Sequence, residues 1–376
     1  MKDVLINTSN LHAGGGVQVA TSAIAETSGG IANYEGVSVL LSTEVKRNLD
    51  ALGFQRSDAI LFETLDVHGI DVMNGAVRRK MDSYKVVFTL FGPLYRWKPP
   101  FKSIVGFAQP WIIYTGNECY GRLPFWQRVR YRLKFWVQGM FFKRADVLVV
   151  ELEHVKEGLI RELRIAPDWI HVIYNCLSSI YASESLWEPI AAVQQGACNL
   201  RLGFVGRNHL HKNTVIFPAI VTALERSHGF KARFFVTFTD DEWQACSLEF
   251  RSVCVNVGPL LVAQCPTFYK MLDGVVFPSL LEAFSATPLE AMAMERPLFA
   301  SNRSFIRDVC HSHATYFDPL SPDSAAAAIA KVFANGPPDE VALRAARDHA
   351  FAFSSAKERA EQYLALMRQA SSTTKC

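Results

Sequence analysis

No stretch of this chain is apolar for the roughly 18 residues a membrane span needs, so a crossing helix is excluded by length alone. No cysteine pair stands at the spacing of a zinc ligand set or a redox motif. The eight cysteines, Cys119, Cys176, Cys198, Cys246, Cys254, Cys265, Cys310 and Cys376, are scattered singly, which argues against a disulfide framework and for a reducing, cytoplasmic setting. Met1-Lys2-Asp3 leads straight into a strand-like run without an apolar leader, so no signal peptide is expected. Excess charge is lacking too. A net charge of +3 is too small to argue for nucleic acid, and any basic partner surface must be local. There is no internal repeat, and no paired aspartate lies beside the motifs described below, Asp240-Asp241 being expected in a loop or helix far from them. Metal-bridged chemistry is therefore not expected.

What is present is a core. The composition, 49% hydrophobic and 20% charged over 376 residues, is that of a soluble globular chain with room for two domains. Short Val/Ile/Leu-rich runs alternate with helix-length amphipathic stretches. The clearest are Val4–Asn7, Val37–Leu41, Val86–Leu90, Val147–Val150, His171–Tyr174, Leu202–Val205, Phe234–Thr237, Gly274–Phe277 and Leu298–Ser301. Unbroken apolar strands alternating with helices predict parallel sheets covered on both faces. The rhythm stops in a polar interval between about Asn175 and Asn199 and restarts at Arg201-Leu202-Gly203-Phe204. Two doubly wound α/β domains follow: residues 1–180, a linker over 181–199, and residues 200–355. A last helical stretch, Pro338–Arg368, is longer than either sheet needs, and residues 356–376 are expected to cross back to the first domain and fray.

Three segments could carry chemistry at the carboxyl ends of strands, where open α/β sheets bind ligands. In NLHAGGGVQVA, Asn10–Ala20, Gly14, Gly15 and Gly16 let backbone approach a ligand, and a helix starting near Val17 would aim its amides at an anion. The third glycine of a dinucleotide fingerprint is missing, and strand two ends Leu40-Leu41-Ser42 without an acidic residue, which disfavours a nicotinamide enzyme. In GFVGRNHLHKN, Gly203–Asn213, Arg207 and Lys212 together suit a diphosphate, while His209 and His211 lack the company of a metal site. In LEAFSATPLEAMAMERP, Leu281–Pro297, Glu282 follows a buried strand with the small residues Ala283, Ser285 and Ala286 beside it. Thr287-Pro288-Leu289-Glu290 fits a capping box, which would make Glu290 structural.

Together GxGR…K and the later PSxxExF…PxxExMA resemble retaining glycosyltransferases of the GT4 type (glycosyl transferases group 1), which have the two-domain GT-B fold. The resemblance is strongest over Leu202–Phe317 and reaches weakly into AGGGVQ, ADVLVVELEHVKEGL and VIYNCLSSIY. It implies a nucleotide-diphosphate sugar bound mostly on the second domain. Arg207 and Lys212 would stabilise the departing diphosphate, Glu282 would hold donor-sugar hydroxyls, and Glu290 would accept the ribose hydroxyls. Amides from Phe284, Ser285, Ala286 and Thr287 would assist, Gly15 and Gly16 would approach the donor, and Asn256–Leu260, with Gly258 and Leu260, would pass over the nucleobase. The leaving phosphate itself is expected to help deprotonate the acceptor, without metal or cofactor. This chain departs from the pattern where glycines often follow the first glutamate, where Ser or Thr often replaces Glu151, and where Gln109 stands in place of a histidine near the donor sugar.

The acceptor side is less legible. Between Asp82 and Asp146 the only acidic residue is Glu118. Read as one helix, Leu123–Arg144 puts Val129, Leu133, Trp136, Val137 and Met140 on a core face. Tyr131, Phe135 and Phe142, flanked by Arg128, Arg132 and Lys134, then lie opposite. Tyr95–Lys102 adds a second basic-aromatic patch. Such a surface suits an anionic bilayer or a helix buried on both sides. The favoured reading is a transferase, peripheral on the cytoplasmic face of a membrane, that glycosylates a lipid-linked or lipopolysaccharide-type acceptor. The alternative is a non-catalytic GT-B-like nucleotide or sugar binder.

Overall fold

A computed structural model of the chain describes all residues except Met1, Ala13, 32–36, Ser57, Ala59, Ile70, 72–73, 192–197 and 374–376. Part of the expected linker and the end of the tail thus lie outside the described residues. The chain forms two compact units. One comprises Met1–Gly116, Leu123–Cys176 and Ser354–Cys376; the other comprises Asn117–Arg122 and Leu177–Phe353.

The first unit is built on a seven-stranded parallel sheet. Its strands are β1 (Lys2–Thr8), β2 (Val37–Leu41), β3 (Leu61–Thr64), β4 (Tyr84–Thr89), β5 (Lys102–Gly106), β6 (Val147–Val150) and β7 (Ile170–Val172). They lie in the order β3-β2-β1-β4-β5-β6-β7. The order reverses between β1 and β4, so the loops after these two strands flank the position where such sheets take ligands. Every residue of β2 is buried, as expected for a strand covered on both faces. The sequence pattern misses β3 and β5. The first is a short, half-exposed edge; the second is bracketed by Lys102 and Gly106. Gly106 is obligatory, since a Cβ there would fall 1.7 Å from the Leu90 carbonyl oxygen.

The expected single helix over Pro338–Arg368 is two, Glu340–Ala352 in the second unit and Ala356–Thr373 in the first. The break has a local cause. Ser355 and Glu358 form a reciprocal cap, Ser355 Oγ accepting from the Glu358 amide at 3.1 Å while Glu358 accepts from the Ser355 amide at 2.9 Å. The second of these helices then joins the first unit's core through Tyr363, Leu364, Leu366, Met367 and Ala370, with Tyr363 edge-on to Phe88 of β4.

The second unit carries a six-stranded parallel sheet: β8 (Leu200–Phe204), β9 (Ala232–Val236), β10 (Cys254–Asn256), β11 (Gly274–Phe277), β12 (Leu298–Ser301) and β13 (Thr315–Phe317). The order is β10-β9-β8-β11-β12-β13, which reverses between β8 and β11. Leu202, Phe204, Phe234, Phe235, Val275, Val276 and Phe277 are wholly buried, and Phe217 stacks on Phe234 at 3.9 Å. This packed slab makes the loops at its carboxyl ends rigidly founded.

The helix Phe125–Phe142 corrects the sequence reading of its faces. Phe135, Gln138, Gly139 and Phe142 are the buried side, whereas Val129, Leu133 and Trp136 stand out in solvent with Phe125 and Trp126. Periodicity locates two apolar stripes but not which one is covered. Tertiary contacts decide it: Trp111 stacks on Phe135 at 5.6 Å, Phe107 meets Phe142 edge-on at 4.7 Å, and Gly139 admits Leu163.

Candidate active site

The loops after β8 and β11, the two strands at the second sheet's reversal, bring together residues 70 positions apart. Lys212 ends a short 3-10 turn, Leu210–Lys212, and its Nζ lies 2.6 Å from Glu282 Oε1. Both side chains are largely buried, and the Leu280 amide donates to the His211 carbonyl at 2.7 Å, stitching the loops. Such a pairing keeps Glu282 as an acceptor while the ammonium retains two further N–H groups. Arg207 is held differently. Its Nε donates to Glu242 Oε1 at 2.8 Å.

Glu242 is the residue that the sequence reading missed. It lies on the helix Asp240–Gln244, far from the motifs in the expectation but adjacent to Arg207 in the fold. It closes a capping box with Thr239 and also accepts from the Asn208 amide at 3.2 Å. Burial pulls its carboxyl up, but Arg207 and the Thr239 and Asn208 amides hold it below the usual carboxylate range. The Thr-x-x-Glu spacing was a legible cap; its second duty toward Arg207 was not.

His209 and His211 stack at 5.6 Å within the same loop. Burial lowers both, His211 to about 4, so its imidazole is neutral at physiological pH; Lys212 adds to the lowering while Glu282 opposes it. Glu242 and Glu282 oppose the lowering at His209, while Lys212 and Arg207 add to it.

The capping-box reading of Glu290 is overturned. The helix Thr287–Ala293 is preceded by Ala286, which offers no side-chain cap, and the Thr287 hydroxyl turns to the Val205 carbonyl at 3.4 Å. Glu290 Oε2 instead accepts from the Tyr269 hydroxyl at 2.8 Å, with Tyr181 beside Tyr269. Burial raises the Glu290 carboxyl, and the tyrosine hydroxyls pull it back. Between the glutamates, Phe284, Ser285 and Ala286 are half-buried and Thr287 is buried. Gly258 follows β10 at φ +85°, its amide 3.3 Å from Asn256 Oδ1, and Leu260 lies half-buried beyond it.

In the first unit the glycine loop follows β1. The helix begins at Gly15, two residues before the expected start, and Gly14 takes φ +74°. A Cβ at Gly15 would meet nothing within 4 Å, so its backbone is open. Asn10 Nδ2 donates to the Phe91 carbonyl at 2.7 Å, tying the loops after β1 and β4. Gln109 precedes the short helix Pro110–Ile113, half-buried. Glu151 is buried, and burial pushes its carboxyl up to about 7 against Arg359 and Asn175. Among the described residues no group of three or more His, Cys, Asp or Glu could hold a metal ion.

Against known structures the chain aligns over nearly its whole length. A sucrose-phosphate synthase from Thermosynechococcus elongatus is 15% identical, covering 98% of this chain and 99% of that one at a TM-score of 0.69. An α,α-trehalose-phosphate synthase (UDP-forming) from Burkholderia vietnamiensis is 11% identical, covering 100% and 99% at 0.67. The fold is GT-B. HepE of Anabaena, solved in complex with UDP-glucose, is 12% identical and covers 99% and 100% at 0.65. Within this GT-B chain, residues 255–349 match the family model for glycosyl transferases group 1. The match includes Gly258, Leu260 and the whole Glu282–Glu290 segment, but not Arg207 or Lys212. No curated protein sequence matches the chain. Family model and structural neighbours together support a GT-B glycosyltransferase.

Proposed function

We propose that the protein is a retaining, metal-independent glycosyltransferase of the GT4 type that uses a UDP-sugar. One observation carries this: the Lys212–Glu282 pair where the second sheet reverses its strand order, on loops stitched by the Leu280 amide. In this reading the N–H groups of Lys212 that Glu282 leaves over, with Arg207, meet the diphosphate as negative charge develops on it. Glu282 holds hydroxyls of the donor sugar, aided by amides from Phe284 to Thr287, and Glu290 takes the ribose hydroxyls through the oxygen that Tyr269 does not occupy. Gly258 and Leu260 flank the base. The bond from sugar carbon to diphosphate oxygen breaks, the acceptor oxygen bonds to that carbon, and the acceptor's proton passes to the leaving phosphate. UDP is favoured because structural neighbours are solved with UDP or UDP-glucose.

The acceptor half of the proposal is a lipid-linked or lipopolysaccharide-type glycan at the cytoplasmic face of an anionic membrane. The helix Phe125–Phe142 supports it. Phe125, Trp126, Val129, Leu133 and Trp136 are 43% to 78% exposed on one side, and no acidic residue lies between Glu118 and Asp146. Apolar and indole side chains at an interface, rimmed by Arg130, Arg132 and Lys134, fit anionic headgroups. Arg144 over Trp97 at 3.6 Å extends the same basic-aromatic surface. No helix among the described residues is long and apolar enough to cross a membrane.

Release of UDP from UDP-glucose in chelator, with vesicle-borne glycolipid as acceptor, tests the proposal. Turnover that Glu282→Ala abolishes supports it. Binding of UDP without turnover under any acceptor condition favours the non-catalytic binder.

A further inference from the structure

Six residues from the middle of the first unit's sequence belong to the second unit. The chain leaves the first unit after Gly116, contributes Asn117–Arg122 to the second, and resumes in the first at Leu123. The excursion is anchored, since Glu118–Arg122 form a 3-10 turn with Cys119 and Tyr120 buried. Two charge-assisted bonds fix its ends. Arg303 Nη2 donates to Glu118 Oε1 at 2.5 Å, and Arg122 Nη1 donates to Asn213 Oδ1 at 2.6 Å.

Asn213 is the neighbour of Lys212. It is almost wholly buried, and it holds the left-handed conformation, φ +56°, that closes the turn Leu210–Lys212. Asparagine tolerates this conformation better than other non-glycine residues, because its short polar side chain can hydrogen-bond nearby. Both halves of its side-chain amide are engaged, Oδ1 by Arg122 and Nδ2 by the Pro319 carbonyl at 2.8 Å. Lysine is a point charge on a flexible stem, so where its ammonium points depends on how firmly its backbone is set. The contacts run in one line: Arg122 to Asn213, Asn213 along the backbone to Lys212, Lys212 to Glu282.

We infer that Arg122 is a positioning residue for the diphosphate site, acting on Lys212 through Asn213 rather than touching the ligand. The inference rests on the donor site proposed above. It makes the 117–122 segment a working part of the second unit, so that changes in this turn alter donor binding although no site motif includes it.

The test is calorimetric titration of the full chain with UDP and with UMP, which lacks the second phosphate. Arg122→Ala should weaken UDP about five-fold, the scale of one hydrogen bond, and leave UMP within about two-fold of wild type. Asn213→Gly keeps the left-handed backbone accessible and removes the acceptor, so adding Arg122→Ala to it should cost nothing further. Equal losses for UDP and UMP, unchanged UDP binding in Arg122→Ala, or additive losses in the double variant would each overturn the inference. Lys212→Ala separates the two readings. If it leaves UDP affinity unchanged, the donor-site reading fails and takes this inference with it; if Lys212→Ala weakens UDP and Arg122→Ala does not, this inference alone fails.

Discussion

The Tyr269 hydroxyl donates to Glu290 at 2.8 Å, and that bond decides what Glu290 is for. A glutamate at the third position of a helix is ordinarily read as half of a cap. Here its carboxylate points to a buried tyrosine and its helix begins without it. Tyr269→Phe leaves a half-buried carboxylate short of a donor, which should cost about 1 kcal/mol of stability. It should also weaken UDP binding through the misplaced Glu290. Urea unfolding and calorimetry measure both; a variant as stable as wild type contradicts the assignment.

Arg207 is shared between Glu242 and whatever anion it meets. The Thr239 amide donates to one Glu242 oxygen and the Asn208 amide to the other, so Glu242→Gln keeps an acceptor for only one of them while removing the competing charge. UDP affinity should rise by about two- to five-fold, a modest effect because Arg207 is half exposed and screened. A fall in affinity would mean that Glu242 orients Arg207 rather than competing for it.

Stability should depend on Glu151. Its carboxyl is raised to about 7 by burial, so the folded chain holds that proton more tightly than the unfolded chain. The resulting stability is complete below the ordinary value of 4.5 and is lost as pH rises through about 7. Glu151→Gln, neutral throughout, should flatten the fall in Tm between about pH 5 and about pH 8. Parallel profiles for the two proteins would contradict this.

The exposed stripe on Phe125–Phe142 gives a direct assay. Trp126→Ser with Trp136→Ser should abolish sedimentation with vesicles of anionic lipid and leave Tm within a degree or so, since both indoles lie in solvent. Unchanged vesicle binding would remove the membrane half of the proposal.

Much of this was legible before any coordinates. The core strands β2, β6, β11 and β12 are short, almost wholly apolar runs, and a run buried on both faces needs no context to be recognised. The strands that escaped were short: β3, β10 and β13 are sheet edges of three or four residues, and β5 ends on Gly106, required by a carbonyl that only the fold brings near. At the candidate site, Arg207 and Lys212 stood out because basic side chains in a strand–helix loop suit a phosphate, and Glu282 because a carboxylate at a strand's carboxyl end suits hydroxyl groups. Glu242, Tyr269 and Arg122 did not, since each does ordinary work on its own element and gains its second contact only through tertiary packing. The faces of Phe125–Phe142 were inverted for the same reason: two stripes can be read from spacing, but Trp111 decides which is covered.

The most direct test of the donor site is a thermal-shift panel of UDP, GDP, ADP, CMP and dTDP without metal, on wild type and on Lys212→Ala. A ligand at about 100 times its Kd adds roughly 2.7 kcal/mol, a few degrees in a chain of this size. The account predicts that UDP stabilises wild type and that Lys212→Ala loses the shift. No shift with any of the five nucleotides, or equal shifts in both proteins, would contradict it.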